Sequence, residues 1–194
     1  MAKVGMRHLV YAKVATETPG TSITYSGGAD LAPAVSGALN YDRSDNPLYG
    51  DDVMQDSDNG ITGFSLDIET TELSAANEAA ILGLTVDGTD SALYSVTDAP
   101  APYVGIGFVQ VLRRKGVVSY RAVWFPKVQF GISSEETQTR QQSIEWGTPT
   151  LNGKGFGVYL DSTGKATYRM QKECETLAAA QSFLDTKAGI SRTP

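Results

Sequence analysis

Two runs in the middle of the chain constrain the fold most. Residues 103–114 read YVGIGFVQVLRR and residues 117–132 read VVSYRAVWFPKVQFGI, with only Lys115-Gly116 between them. Both runs are dense in β-branched and aromatic residues, the types that fill a pleated, half-buried surface. Two such runs joined by two residues, the second a glycine, form a β-hairpin, here spanning about residues 103–130. Two strands alone are marginal in water, so a hairpin of this length needs further strands to back it. Pro126 has no N–H to give to a ladder, which places it at an edge, a bulge or a bend.

A second pattern lies upstream in GFSLDIETTELSAANEAAILGL, residues 63–84. Phe64, Leu66 and Ile68 alternate with Ser65, Asp67 and Glu69, the period of a half-buried strand. An Ala-rich helix over about residues 74–83 follows, with Ser74 as N-cap, Asn77 where a capping box would carry Glu or Gln, and Gly83 as C-terminal cap. Elsewhere RHLVYAKVA reads as a first strand, with Leu9 and Tyr11 on one face and His8 and Val10 on the other. TETPGTSITYSGGAD reads as a loop, and residues 32–52 as extended chain. VMQDSDNG reads as a polar turn and STGKATYRM as a further strand. ETQTRQQSIEWGTPTLNGKGFGVYL adds a polar-alternating strand and a Gly-rich turn, and QKECE is a charged spacer before a helix from about Thr176 to Asp185. The expected fold is mainly β, of the α+β kind, with one domain over residues 1–172 and a C-terminal helical arm over 173–194.

The chain has 194 residues, enough to bury a core without disulfides, and its single cysteine, Cys174, excludes an internal one. No apolar run approaches the roughly 20 residues of a membrane span, and the N-terminus lacks the long apolar stretch of a signal peptide. His8 is the only histidine, so two-histidine metal sites and His-based triads are unsupported; it is expected at the surface or at a subunit contact.

Charge is segregated. No Lys or Arg occurs between Arg43 and Arg113, while that window holds twelve of the chain's 22 acids. The window therefore carries −12 and the remainder +6. A solvated acidic surface is the plain reading of such a bias. The sharper one is that two surfaces of opposite sign meet, within a subunit or between subunits.

Several patterns invite a chemical reading. Asp67 and Glu69 lie on one strand face about 7 Å apart, near the separation of the two carboxylates in inverting glycosidases. An acid/base pair needs one carboxyl raised by burial, and nothing in the strand pattern encloses one. Asp56-Ser57-Asp58-Asn59-Gly60 resembles the start of a calcium loop but fails three ligand or glycine positions, which favours a plain turn. Gly153-Lys154-Gly155-Phe156-Gly157 is no phosphate-binding loop. No metal or cofactor is expected. Arg113, Arg114 and Lys115 make a basic hairpin tip, a fit for an acidic neighbour.

The ordered segments VGMRHLVYAKV, FSLDIETTELSAANEAAILG, YRAVWFPKVQF and SIEWGTPTLNG together resemble the major tail protein of long-tailed, non-contractile phages, the tail tube subunit. The resemblance covers most of the chain. It implies a β-sandwich or half-barrel flanked by a helix, hexameric rings stacked into a tube around a tape-measure protein, and inner strands joined into one barrel around a channel for DNA. It also implies a virion location after assembly in the host cytoplasm, contacts with tail terminator and distal tail proteins, and no catalysis. In such a tube Asp67 and Glu69 are the expected lumen-facing acids, repelling phosphate. Asp51, Asp52, Asp56 and Asp58 against Arg113, Arg114 and Lys115 are the expected inter-ring contacts. Two other classes remain open. One is a calcium- or sugar-binding β-sandwich, with Trp124, Trp146 and tyrosines stacking on sugars. The other is a glycosidase using Asp67 and Glu69.

Overall fold

The computed structural model describes residues 2–87, 92–94, 100–131, 147–160 and 163–192. The chain is mainly β. In order it forms β1 (Ala2–Thr18), β2 (Ser22–Asp30), β3 (Ala34–Arg43), β4 (Asn46–Gly50), β5 (Val53–Asp58), β6 (Ile61–Thr70), α1 (Ala75–Leu82), β7 (Thr85–Val86), β8 (Leu93–Tyr94), β9 (Tyr103–Arg114), β10 (Val117–Gly131), β11 (Thr150–Gly155), β12 (Val158–Tyr159), β13 (Ala166–Thr167), β14 (Met170–Cys174) and α2 (Leu177–Ala188). One antiparallel sheet dominates, in the order β2-β1-β9-β10-β11-β6-β3, with β14 added to β10.

The β9–β10 hairpin is the expected one, closed by Lys115 and Gly116 at φ 47° and 85°. Two successive positive φ angles match the right-handed twist of the flanking strands. β10 is long enough to serve two neighbours. Its first half, Tyr120 to Trp124, pairs with β14, and its second half, Val128 to Gly131, pairs with β11. Pro126 sits at the register break between them, where a residue without an N–H costs no ladder bond.

The sheet curls on itself. A Cβ placed on Gly37 of β3 would lie 3.2 Å from the Met6 sulfur of β1, so strands at the two sides of the sheet come together without pairing. The concave side holds one apolar cluster, in which Phe64, Leu66 and Ile68 of β6 meet Ile106 and Phe125 of β9 and β10, with Ile81 of α1. Phe64 and Phe125 have ring centroids 5.1 Å apart. The convex side of β1, β9 and β10 carries a second cluster, where α2 lays Ala180, Leu184 and Ala188 over Val10, Val109 and Trp124. Burial on both faces explains why β9 reads as a continuous apolar run and β6 as a strict alternation. Gly105 and Gly107 leave room for the Trp124 indole: a Cβ there would come within 2.4 and 2.6 Å of its ring atoms.

Helix α1 follows the expected pattern. The Ser74 hydroxyl accepts the Asn77 N–H, and Gly83, at φ 73°, donates its N–H to the Ala79 carbonyl. Asn77 does not complete a capping box. Its side-chain N–H group instead donates to the Asp30 and Leu31 carbonyls, and its oxygen accepts the Tyr11 hydroxyl, which ties the helix to the sheet.

Five local expectations are corrected. The supposed loop over residues 16–30 is the end of β1 and all of β2, paired from Val10↔Asp30 to Thr18↔Ser22; Thr, Ser and Tyr are good strand residues, and their polarity suits an exposed edge. VMQDSDNG is largely strand β5; the turn is Asp51-Asp52, at φ 51° and 62°, a conformation Asp tolerates better than most residues. The Gly-rich turn is strand β11, whose Gly153 and Gly155 leave space for Phe130 and Phe64; a Cβ on Gly155 would meet Phe64 Cζ at 1.9 Å. QKECE is not a spacer, because Met170–Cys174 is strand β14. The boundary expected at residue 172 therefore falls inside a paired strand. The C-terminal segment here lies on the sheet, and its helix begins at the Thr176 cap and runs three residues past Asp185.

Candidate functional site

The outer face of β3, β6 and β11 is where the charged alternation comes to rest. On β6, Phe64, Leu66, Ile68 and Thr70 are buried, which turns Ser65, Asp67 and Glu69 outward, partly exposed. In register, Asp67 lies between Ala38 and Asn152, Glu69 between Ser36 and Thr150, and Ser65 between Asn40 and Lys154. Residues opposite one another in an antiparallel sheet share a face, so this is one open polar surface. α2 is packed on the other side of the fold, against β10, β9, β2 and β1.

Glu69 accepts hydrogen bonds from the Thr148 hydroxyl and, at 2.8 Å, from the Ser36 hydroxyl. These two donors hold its carboxyl below the usual glutamate range. A general acid needs the opposite shift, so these bonds do not suit Glu69 to the acid's role. The wall is not purely acidic either, because Lys154 stands exposed beside the two carboxylates.

The strand at the margin of this face, β3, pairs with β6. Among the described residues its outer edge has no ladder partner over Ala34–Arg43, and neither has the outer edge of β2 over Ser22–Asp30. Long unpaired edges are templates for another strand, which natural proteins shorten, charge or cover.

The acidic and basic segments named from sequence are both exposed hairpins. Asp51 and Asp52 form the β4–β5 turn, and Arg113, Arg114 and Lys115 lead through the β9–β10 turn. None of these five side chains makes a hydrogen bond or ion pair among the described residues. Asp56 and Asp58 are occupied locally. Asp56 accepts the Ser57 N–H; Asp58 accepts the Gly60 N–H and the Ser44 hydroxyl. These bonds shape the hairpin root, the role expected of turn aspartates.

Topology puts the two hairpins at one end of the subunit. β6 and β10 are both antiparallel to β11, so they run parallel to each other. The β4–β5 hairpin immediately precedes β6, and the β9–β10 turn immediately precedes β10.

A cluster that the sequence does not advertise lies at the other margin. His8 is not a free surface residue. It sits at φ 55° in a bulge of β1, and its Nε2 lies 3.0 Å from Asp185 Oδ1 of α2. Arg192 donates from Nε to Asp185 Oδ2 at 2.7 Å and from Nη2 and Nη1 to Asp30 at 2.6 and 3.0 Å. The guanidinium holds the Asp30 carboxyl below its ordinary range. The signal in sequence was the combination of a lone histidine on the strand face opposite Leu9 with an aspartate inside an otherwise apolar helix face.

Trp124 is fully buried and donates its indole N–H to Tyr25, so it offers no sugar platform. Trp146 lies outside the described residues. Among the described residues no helix is long and apolar enough to cross a membrane, a statement that leaves β-barrels aside. Compared with known families and curated proteins, the chain matches no family model and no curated protein.

Proposed function

We propose that the chain is a self-assembling structural subunit of a phage tail tube, forming rings that stack around a tape-measure protein and enclose a channel for DNA. The single observation that carries this reading is the pair of edges without a strand partner among the described residues, at opposite ends of one strand order, β2 at one side and β3 at the other. Two different edges on one subunit make a heterologous, head-to-tail contact. Repeated, such a contact closes into a ring when the rotation allows it. Closure would also remove edges that are otherwise a liability.

The open face beside β3 suits a channel wall. It is polar, it carries Asp67 and Glu69, and Glu69 is held ionised by Ser36 and Thr148. DNA passing through must not adhere, and each Lys or Arg contact to phosphate adds affinity. Two carboxylates per subunit against one Lys154 give the wall a net negative sign. Tail terminator and distal tail proteins would then meet the two ends of the stack, and the location would be the virion.

Light scattering on purified protein across a concentration series tests the reading. Mass should rise in steps of a closed ring and then as polymer; a constant monomer mass at the highest concentrations would sink it.

A further inference from the structure

We infer that the β4–β5 hairpin docks sideways onto the β9–β10 tip of a neighbouring copy of this chain in the same ring; this rests on the tube reading above. Among the described residues the hairpin pairs only with itself, and its large apolar side chains are exposed: Leu48 is 64% exposed, Tyr49 65%, Val53 60% and Met54 57%. Tyr49 and Met54 are register partners and share one face, while Val53 projects to the other. An isolated two-stranded hairpin is at best marginally stable in water, and one with apolar side chains on both faces calls for a partner.

The β9–β10 tip has the matching chemistry. Val117 is 69% exposed and Val118 44%, at the start of β10, and Val4, at 60%, is exposed on β1, across β9 from them. Arg113, Arg114 and Lys115 ring this apolar patch, as Asp51 and Asp52 crown the other. Both patches thus combine a small apolar centre with charge that has no partner among the described residues, and the signs are opposite. Like copies of either patch would repel, which selects the unlike pairing.

The direction of contact follows from topology. Both elements project past the N-terminal ends of the parallel strands β6 and β10, at one end of the subunit. Copies side by side in a ring hold these ends at one level, so the acidic hairpin of one can reach the basic tip of the next. The charged pairing expected between rings is thereby assigned within the ring.

Disulfide trapping tests this. Val53→Cys and Val117→Cys are placed in one chain, with the unaltered chain, whose Cys174 is buried, as control. Assembled tubes are oxidised and separated without reductant. The expected result is a covalent ladder that stops at the ring size, because a lateral head-to-tail contact closes on itself. A ladder running past the ring size would place the contact between rings and overturn the inference. So would tubes with no cross-link, or a disulfide formed only within one chain. If the first pair blocks assembly, Met54→Cys with Val4→Cys repeats the test. Asp51→Lys with Asp52→Lys should lower ring yield at least tenfold at low salt, and reversal of the tip to Glu in the same chain should restore it. Rings in the unaltered chain without trapping remove this inference alone. No rings at all remove the tube reading with it.

Discussion

His8 Nε2 lies 3.0 Å from Asp185 Oδ1, joining the first strand to the last helix across 177 positions of sequence. Asp185 is nearly buried and also receives Arg192. Replacing it by Ala leaves His8 and Arg192 without this acceptor and removes the polar tie between α2 and the sheet. The expected loss is about 2–3 kcal/mol, read as a lower urea midpoint. Asp185→Ala with unchanged stability would mean that the cluster is incidental.

The same cluster sets part of the acid limb. Arg192 depresses the Asp30 carboxyl in the folded state. A depressed carboxyl contributes stability that is present above its unfolded value of about 4 and is lost as pH falls below it. Arg192→Gln should therefore flatten the fall in stability below that pH, measured by denaturant titration at a series of acid pH values. Parallel curves for the two proteins would contradict this.

The alkaline limb has a different origin. Tyr25 donates to the Pro126 carbonyl at 2.9 Å, accepts from Trp124, and is pushed up to about 12, mainly by burial. Its contribution is complete below the unfolded value of about 10 and is lost as pH rises toward the folded one. The loss is on the order of 2 kcal/mol. Tyr25→Phe should be weaker at neutral pH yet lose less between pH 10 and 12; a slope equal to that of the unaltered chain would refute the assignment.

Gly155 and Phe64 form a steric pair. A Cβ on Gly155 would fall 1.9 Å from the Phe64 ring, in a fully buried position. Gly155→Ala should cost about 1–3 kcal/mol through overpacking. Phe64→Leu in the same chain should recover part of that cost, a coupling that a double-mutant cycle measures. Additive losses would show that the strain lies elsewhere.

Much of this was legible in sequence because the signals were local. The β9–β10 hairpin, the β6 alternation, the Ser74 and Gly83 caps and the irregularity at Pro126 all depend on neighbours a few residues apart. Glycines misled where their reason was distant. Gly153 and Gly155 look like a turn, yet they are strand residues thinned for the rings of Phe130 and Phe64. Polar β2 looked like loop because an exposed edge strand carries no apolar alternation. Trp124 lies inside a strand pattern, which already favours a core position, but the residues that enclose it, Gly105, Gly107 and α2, are distant in sequence. Of the candidate site, Asp67 and Glu69 on one outward face follow from alternation alone. The common end of the two charged hairpins is a property of sheet order, which no single segment encodes.

Electron microscopy of the purified protein, with averaged cross-sections of whatever it forms, bears most directly on the central proposal. Stacked rings with an open channel, the outer face of β6 turned to the lumen and Asp67 and Glu69 on its wall, is the expected result. A further arm uses Asp67→Lys with Glu69→Lys, outward strand positions whose exchange should leave the fold intact; tubes should still form while DNA delivery slows. Particles that remain monomeric, or tubes whose channel is lined by another face, would contradict it.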